Sequence, residues 1–327
     1  SSGRKKMAKV DVLIPFYNTP IRFTRECLES LLRQTFTDWR AIIINDGSSA
    51  DSTRALEQLL AEYGDARLSY IATPNRGSAA ARNAGIAHGS APLIALLDSD
   101  DEWIADKLER QVAMLDENDE IGLVHTACVI VDEHGEEQGR SEPSRDANQL
   151  SASAAFERML YRNFVTASSV VFRRQLGARV GYFDEAFICI QDKELWLRLI
   201  ADGGRFHMIP EPLVRYREHG DNISKKVERL LGCRAALIDK MQRVVANTPW
   251  LSELNWPRVK RGMQRRMHQE AAEGYLSQGR IGKVIWHAIP LRCGFTRISA
   301  LLMARAVYRW LFPRRTVSPA RPSPDYS

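Results

Sequence analysis

Short apolar runs alternate with amphipathic stretches through the first 130 residues. Val10–Ile14, Ala41–Ile44, Leu68–Ala72, Leu93–Leu97 and Ile121–Val131 are runs rich in Val, Ile and Leu, bounded by Gly, Pro, Asn, Asp and Ser. That pattern predicts five strands. Between them apolar positions recur every three or four residues: Leu28, Leu31 and Leu32; Leu56, Leu59, Leu60 and Tyr63; Ile104, Leu108, Val112 and Leu115. These spacings predict helices with one buried face, joined by a small-residue helix from Ser78 to Ala87. Thr19 suits the N-cap of the first helix, and Pro20 its first turn. Such strand–helix alternation predicts an α/β fold, a mainly parallel sheet flanked by helices. Further on, His134 to Ser153 is polar and reads as an exposed loop, and Val165 to Phe172 as a strand. Asp192 to Ile200 reads as a short helix capped by Asp192, with Leu195, Trp196, Leu199 and Ile200 inward. From Lys225 onward the pattern is helical, and the Pro- and Ser-rich stretch from Thr316 to Ser327 reads as disordered.

Composition narrows the class. The chain has 327 residues, 44% hydrophobic and 26% charged, ordinary values for a globular protein. A net charge of +6 without a nucleic-acid motif argues against nucleic-acid binding. The five cysteines, Cys27, Cys128, Cys189, Cys233 and Cys293, have no metal-site spacing and read as reduced thiols in a cytoplasmic protein. No apolar run is long enough to span a membrane, and the polar, basic start of the chain does not read as a signal peptide.

The strand ends carry the chemistry. Leu93–Leu97 runs directly into Asp98-Ser99-Asp100-Asp101, three carboxylates around one serine. Carboxylate oxygens suit hard cations such as Mg2+ and Mn2+, which also bind phosphates. Two other strands end in Pro15-Phe16-Tyr17-Asn18 and in Asn45-Asp46-Gly47-Ser48. In open α/β sheets ligands bind at the carboxyl ends of the strands.

Six segments in order give the chain a wider resemblance: Val12 to Asn18, Ile44 to Ser48, Gly77 through Ala81-Arg82-Asn83-Ala84-Gly85, Leu97 to Asp101, Gln191 to Arg198, and Tyr216-Arg217-Glu218-His219. Together they resemble glycosyltransferase family 2, inverting enzymes of the GT-A fold, over roughly residues 9–225. The resemblance implies a Rossmann-like GT-A catalytic domain acting on a UDP-sugar, with Mn2+ or Mg2+ as cofactor. It implies nucleotide-sugar contacts from Pro15, Tyr17, Asn18, Asp46, Arg82, Asp98 and Ser99, with Gly77 allowing close backbone approach. It implies Asp100 and His219 as metal ligands and Asp192 as general base, with Glu194 its rival and Gln191 standing where the family often has glutamate.

The expected layout is an N-terminal tail (1–8) and a catalytic domain (9–225) with a nucleotide-sugar half (9–131) and an acceptor half (132–225). A helical C-terminal extension (226–315) and a tail (316–327) follow. The arginines of Arg297–Arg315, interleaved with Leu301, Tyr308 and Trp310, suit an anionic membrane surface. The expectation is therefore a cytoplasmic enzyme, peripheral on the inner face of the cell membrane. It would transfer sugar to a glycan or lipid-linked acceptor in bacterial surface polysaccharide assembly. The rivals are a nucleotidyltransferase, which would carry a Gly-rich basic loop after the first strand, and a non-catalytic sugar-nucleotide or glycan-binding module, which would not need Asp100 or Asp192.

Overall fold

The computed structural model describes residues 8–141, 147–218 and 227–288. These form two compact units, divided between residues 259 and 260. The first is built on a nine-stranded mixed sheet of order β3-β2-β1-β4-β8-β6-β9-β5, with β7 beside β6. Its opening half alternates strand and helix: β1 (Val10–Phe16), α1 (Ile21–Leu32), β2 (Trp39–Asp46), α2 (Ala50–Tyr63), β3 (Leu68–Thr73), α3 (Ser78–His88) and β4 (Leu93–Leu96). β1 to β4 pair in parallel. β1 and β4 are buried almost throughout because helices cover both faces, which is why they read as continuous apolar runs. α3 packs very close: a Cβ on Gly85 would lie 2.9 Å from Ile44 Cδ1 and 3.0 Å from Leu13 Cδ2.

The rest of the sheet runs in both directions. It comprises β5 (Glu102–Trp103), α4 (Lys107–Glu117), β6 (Ile121–Val131), β7 (Glu137–Arg140), α5 (Ala152–Tyr161), β8 (Val171–Arg173), α6 (Arg174–Val180), α7 (Gln191–Ala201) and β9 (Arg205–Arg217). β8 is antiparallel to β4 and β6, while β6 and β9 are parallel to each other. α8 (Val227–Ala246) completes the unit, and α9 (Trp256–Ser277) crosses into the second, which adds α10 (Ile281–Ala288). Among the described residues no helix is long and apolar enough to cross a membrane.

Several sequence expectations are corrected. Pro20, not Thr19, is the N-cap of α1, because the Thr19 hydroxyl is bonded to Ser99 Oγ at 2.8 Å. Ile104 precedes α4: its N–H bonds to Leu213 O and so continues the β5–β9 pairing. The stretch 134–153 contains β7, a 3₁₀ turn (Ala147–Gln149) and the start of α5. The strand expected over 165–172 is a 3₁₀ turn (Ala167–Ser169) followed by the three-residue β8. Ile190, in a left-handed conformation, precedes α7 as its N-cap, which places Asp192 inside the first turn. Cys189 and Cys233 form a disulfide, brought together by α8 across 44 residues of sequence, a separation that carries no spacing signature; Cys27 and Cys128 are free and buried. Cys293, His219, Arg297–Arg315 and the 316–327 tail lie outside the described residues.

Candidate active site

Strand direction decides what meets at the site. β1, β2, β4, β6 and β9 all run one way, so their carboxyl ends share one edge of the sheet. β8 runs against them, so the segment leading into it enters at that same edge.

The acidic turn after β4 is held from three sides. Asp98 N–H donates to Ser168 Oγ at 3.0 Å, and Ser168 Oγ donates to Asp101 Oδ2 at 2.5 Å. Arg217 N–H, at the end of β9, donates to Asp101 Oδ1 at 2.8 Å, and Arg217 Nε donates to Asp100 O at 2.9 Å. The Arg217 guanidinium also reaches Glu26 and Glu102 and lies over the Phe23 ring. Asp101 is thereby committed to fixing the turn, while Asp98 and Asp100 stay partly open. Burial pushes the Asp98 carboxyl above its usual range; the Arg82 guanidinium opposes this, and Asp100 and Asp192 add to it. Burial, then Asp100 and Asp98, push Asp101 well up, and burial with the same carboxylates raises the Tyr216 phenol. Crowded anionic oxygens of this kind fit a hard divalent cation, which relieves their repulsion. Among the described residues no three His, Cys, Asp or Glu side chains form a complete metal site.

The residues expected to contact a nucleotide-sugar lie mostly at the ends of β1 and β2 and on the loop after β3. Asp46 Oδ1 and Oδ2 accept from Arg76 N–H (3.0 Å) and Gly77 N–H (2.8 Å), which fixes the loop into α3. Gly47 (φ 67°) lets that loop close: a Cβ there would sit 2.5 Å from Asn75 N. Asn18 Oδ1 accepts from Ser49 N–H at 2.9 Å, and Asn18 N–H donates to Ser48 Oγ at 3.1 Å, tying the first two loops together. Beside Asn18, Tyr17 is 55% exposed, a large aromatic offered to solvent at the sheet edge, while Pro15 is half-buried. Arg82, 2% exposed, donates to Asp98 Oδ1 at 2.5 Å and so links α3 to the acidic turn.

At α7 the two carboxylates differ. Asp192 Oδ2 accepts from Asn163 Nδ2 at 2.8 Å, and its charge is felt at Asp98. Glu194 is fully buried and paired with Arg198 at 2.6 and 2.7 Å and with Lys240 Nζ at 2.6 Å. Gln191 Nε2 donates to Ser78 Oγ at 2.7 Å, joining α7 to α3.

Residues 11–178, about half of the chain, match the family model described as Glycosyl transferase family 2. The chain belongs to that family. Among family relatives, an uncharacterized glycosyltransferase of Methanocaldococcus jannaschii is 27% identical over 232 residues, covering 69% of this chain and 77% of its own. The amylovoran biosynthesis glycosyltransferase AmsE of Erwinia amylovora is 28% identical over 221 residues, covering 66% and 78%. Of some longer relatives the chain spans only about a third or less. Among solved structures, TarS 1-349 of S. aureus in complex with UDP-GlcNAc superposes with TM-score 0.61 at 14% identity over 92% of this chain and 89% of that one. The mannosyltransferase PcManGT of Pyrobaculum calidifontis, in complex with GDP-Man and Mn2+, gives TM-score 0.57 at 16% identity over 95% and 89%. These likenesses show the GT-A-type fold, and the chain is a glycosyltransferase.

For this family 2 enzyme, sequence reasoning passed over Ser168, Asn163 and the structural role of Arg217. Ser168 and Asn163 sit in an irregular stretch before a three-residue strand, so no periodicity marks them. Arg217 stood within the Tyr216-Arg217-Glu218-His219 segment, whose shared motif was its only signal.

Proposed function

We propose that this enzyme is a metal-dependent inverting glycosyltransferase that uses a UDP-sugar. One observation carries the reading: Gln191 ties the start of α7 to Ser78 on α3, and Arg82, one turn along α3, reaches Asp98, so Asp192 and the Asp98–Asp100 turn are joined to the same turn of one helix. Asp192 serves as general base. Asn163 holds one of its oxygens, leaving the other to take the proton of the acceptor hydroxyl as that oxygen attacks the anomeric carbon. Asp46 keeps lone pairs for a base N–H, and Tyr17 and Pro15 supply the surface beneath the base. Asn18 and Ser99 fix the loops around it. Asp98 contacts the nucleotide-sugar, while Asp100, with His219, would hold Mn2+ or Mg2+, which would supply Lewis-acid stabilisation of the leaving diphosphate. Arg82 adds a buried positive charge beside the same group. Glu194, closed off by Arg198 and Lys240, is structural.

AmsE names amylovoran biosynthesis, TarS 1-349 is bound to UDP-GlcNAc, and PcManGT is bound to Mn2+. These support a nucleotide-sugar donor, a divalent metal and a glycan or lipid-linked acceptor in bacterial surface polysaccharide assembly. The basic, apolar Arg297–Arg315 segment would keep the enzyme on the inner face of the cell membrane. The test is UDP release from a panel of UDP-hexoses with Mn2+ or Mg2+. Activity should vanish in excess chelator and in Asp100→Ala, and the product should carry the inverted anomeric configuration. Full turnover in chelator sinks the metal assignment, and retention of configuration sinks the single-base mechanism.

A further inference from the structure

Gln191 opens α7 beside Asp192, and its amide faces two different environments. Nε2 is fixed on Ser78 Oγ, whereas Oε1 is buried and accepts no hydrogen bond among the described residues. Ser78 is the first residue of α3, and Arg82, one turn on, lies on the same face of that helix. Arg82 shows the complementary defect. One of its Nη atoms reaches Asp98, but Nε and Nη1 are buried without an acceptor among the described residues. One turn of α3 is thus flanked by a bare acceptor and two bare donors. Buried polar groups are seldom left unpaired, and each such group calls for an account. A ligand that satisfies both must bring oxygen acceptors to Arg82 and a hydroxyl donor to Gln191. A hexose joined to a diphosphate brings them in that order.

Resting on the UDP-sugar reading above, we propose that Gln191 Oε1 accepts a hydrogen bond from one hydroxyl of the donor hexose and so selects the sugar. With Nε2 taken up by Ser78 Oγ, the end of the amide left over is the acceptor Oε1. A sugar lacking that hydroxyl leaves the oxygen buried and bare. A fluorine in its place, unable to donate, does the same.

The test uses the full chain with the UDP-hexose it turns over best and that donor's deoxy and deoxyfluoro analogues at each hydroxyl position. In the wild type, one position should cost ~10²-fold or more in kcat/KM for both analogues, as expected where a site is built to bond a substrate hydroxyl. In Gln191→Met the preferred donor should itself lose activity, and the penalty at that one position should shrink to less than about threefold, since no acceptor remains to be left bare. Gln191→Glu keeps an acceptor on the same stem and should stay sensitive at that position. Equal penalties in wild type and Gln191→Met overturn the assignment and assign the bare oxygen to a trapped water. If Gln191→Met fails to fold, Ser78→Ala decides. Releasing the amide should weaken the preference at the same position, and an unchanged preference overturns the proposal. A wild-type chain that turns over no UDP-hexose sinks the donor reading and this assignment with it, whereas turnover with unaltered selectivity sinks this assignment alone.

Discussion

Asp192 and Glu194 differ by what surrounds them. Asp192 has one amide partner, whereas Glu194 is enclosed between two cations. Asp192→Asn should therefore cost about 10²–10⁴-fold in transfer rate, with UDP affinity and melting temperature nearly unchanged. Glu194→Gln should instead lower stability by about 3–5 kcal/mol, because it leaves buried cations short of their partner, while the folded fraction transfers normally. Rates normalised to folded protein separate the two. A dead but stable Glu194→Gln would move the base to that residue. Gly47 carries another residue-scale prediction. Its positive φ and the 2.5 Å approach to Asn75 N leave no room for a methyl group. Gly47→Ala should cost at least about 1–2 kcal/mol and loosen the Arg76 and Gly77 amides from Asp46, so UDP affinity, read by calorimetry, should fall with stability. The sequence showed Asp46, Asp98 and Asp192 because carboxylates at strand or helix ends stand out from their apolar surroundings. Ser168 and Asn163 are small polar residues in irregular chain, and only the direction of β8 brings them to the site.

At the scale of elements, the parallel half was legible because β1, β2 and β4 are buried on both faces and read as continuous apolar runs. β6 spans Ile121–Val131, as the apolar run predicts. The antiparallel half was not. β5 has two residues, β8 has three and β7 is polar, so none carries a usable period. Ile104 continues the spacing of α4 by coincidence, since its backbone belongs to the sheet. β6 also holds a titrating group. Burial keeps His125 neutral, its pKa pushed down to about 3, and burial also lowers its neighbour His207. The unfolded chain protonates His125 near pH 6.5, whereas the folded chain does so only near pH 3. Stability is therefore retained above that pH and lost as pH falls through it, by about 1.4 kcal/mol per unit for His125 alone. Urea midpoints between pH 7.5 and 5 should show this slope, and His125→Phe should flatten it. An equally steep acid limb in the variant would assign it to other groups.

At the scale of the molecule, the helix that carries Asp192 is held by chain that comes after it. Lys240 on α8 pairs with both Asp184 and Glu194, and Cys233 bonds to Cys189. A chain cut after residue 225, where the motifs end, would leave Glu194 with Arg198 alone and Cys189 unbonded. It should melt well below the full chain and show little transfer, whereas comparable stability would make α8 dispensable. The same ties impose an order on biosynthesis. Chain grows at ~5–20 residues per second, so the 44 residues between Cys189 and Cys233 take about 2–9 seconds to make. During that interval the loops after β1, β2 and β3, all encoded earlier, can close on a nucleotide, but the helix carrying Asp192 lacks its anchors and the acidic turn still awaits Arg217. A nascent chain of this enzyme should therefore capture nucleotide before it is able to transfer sugar.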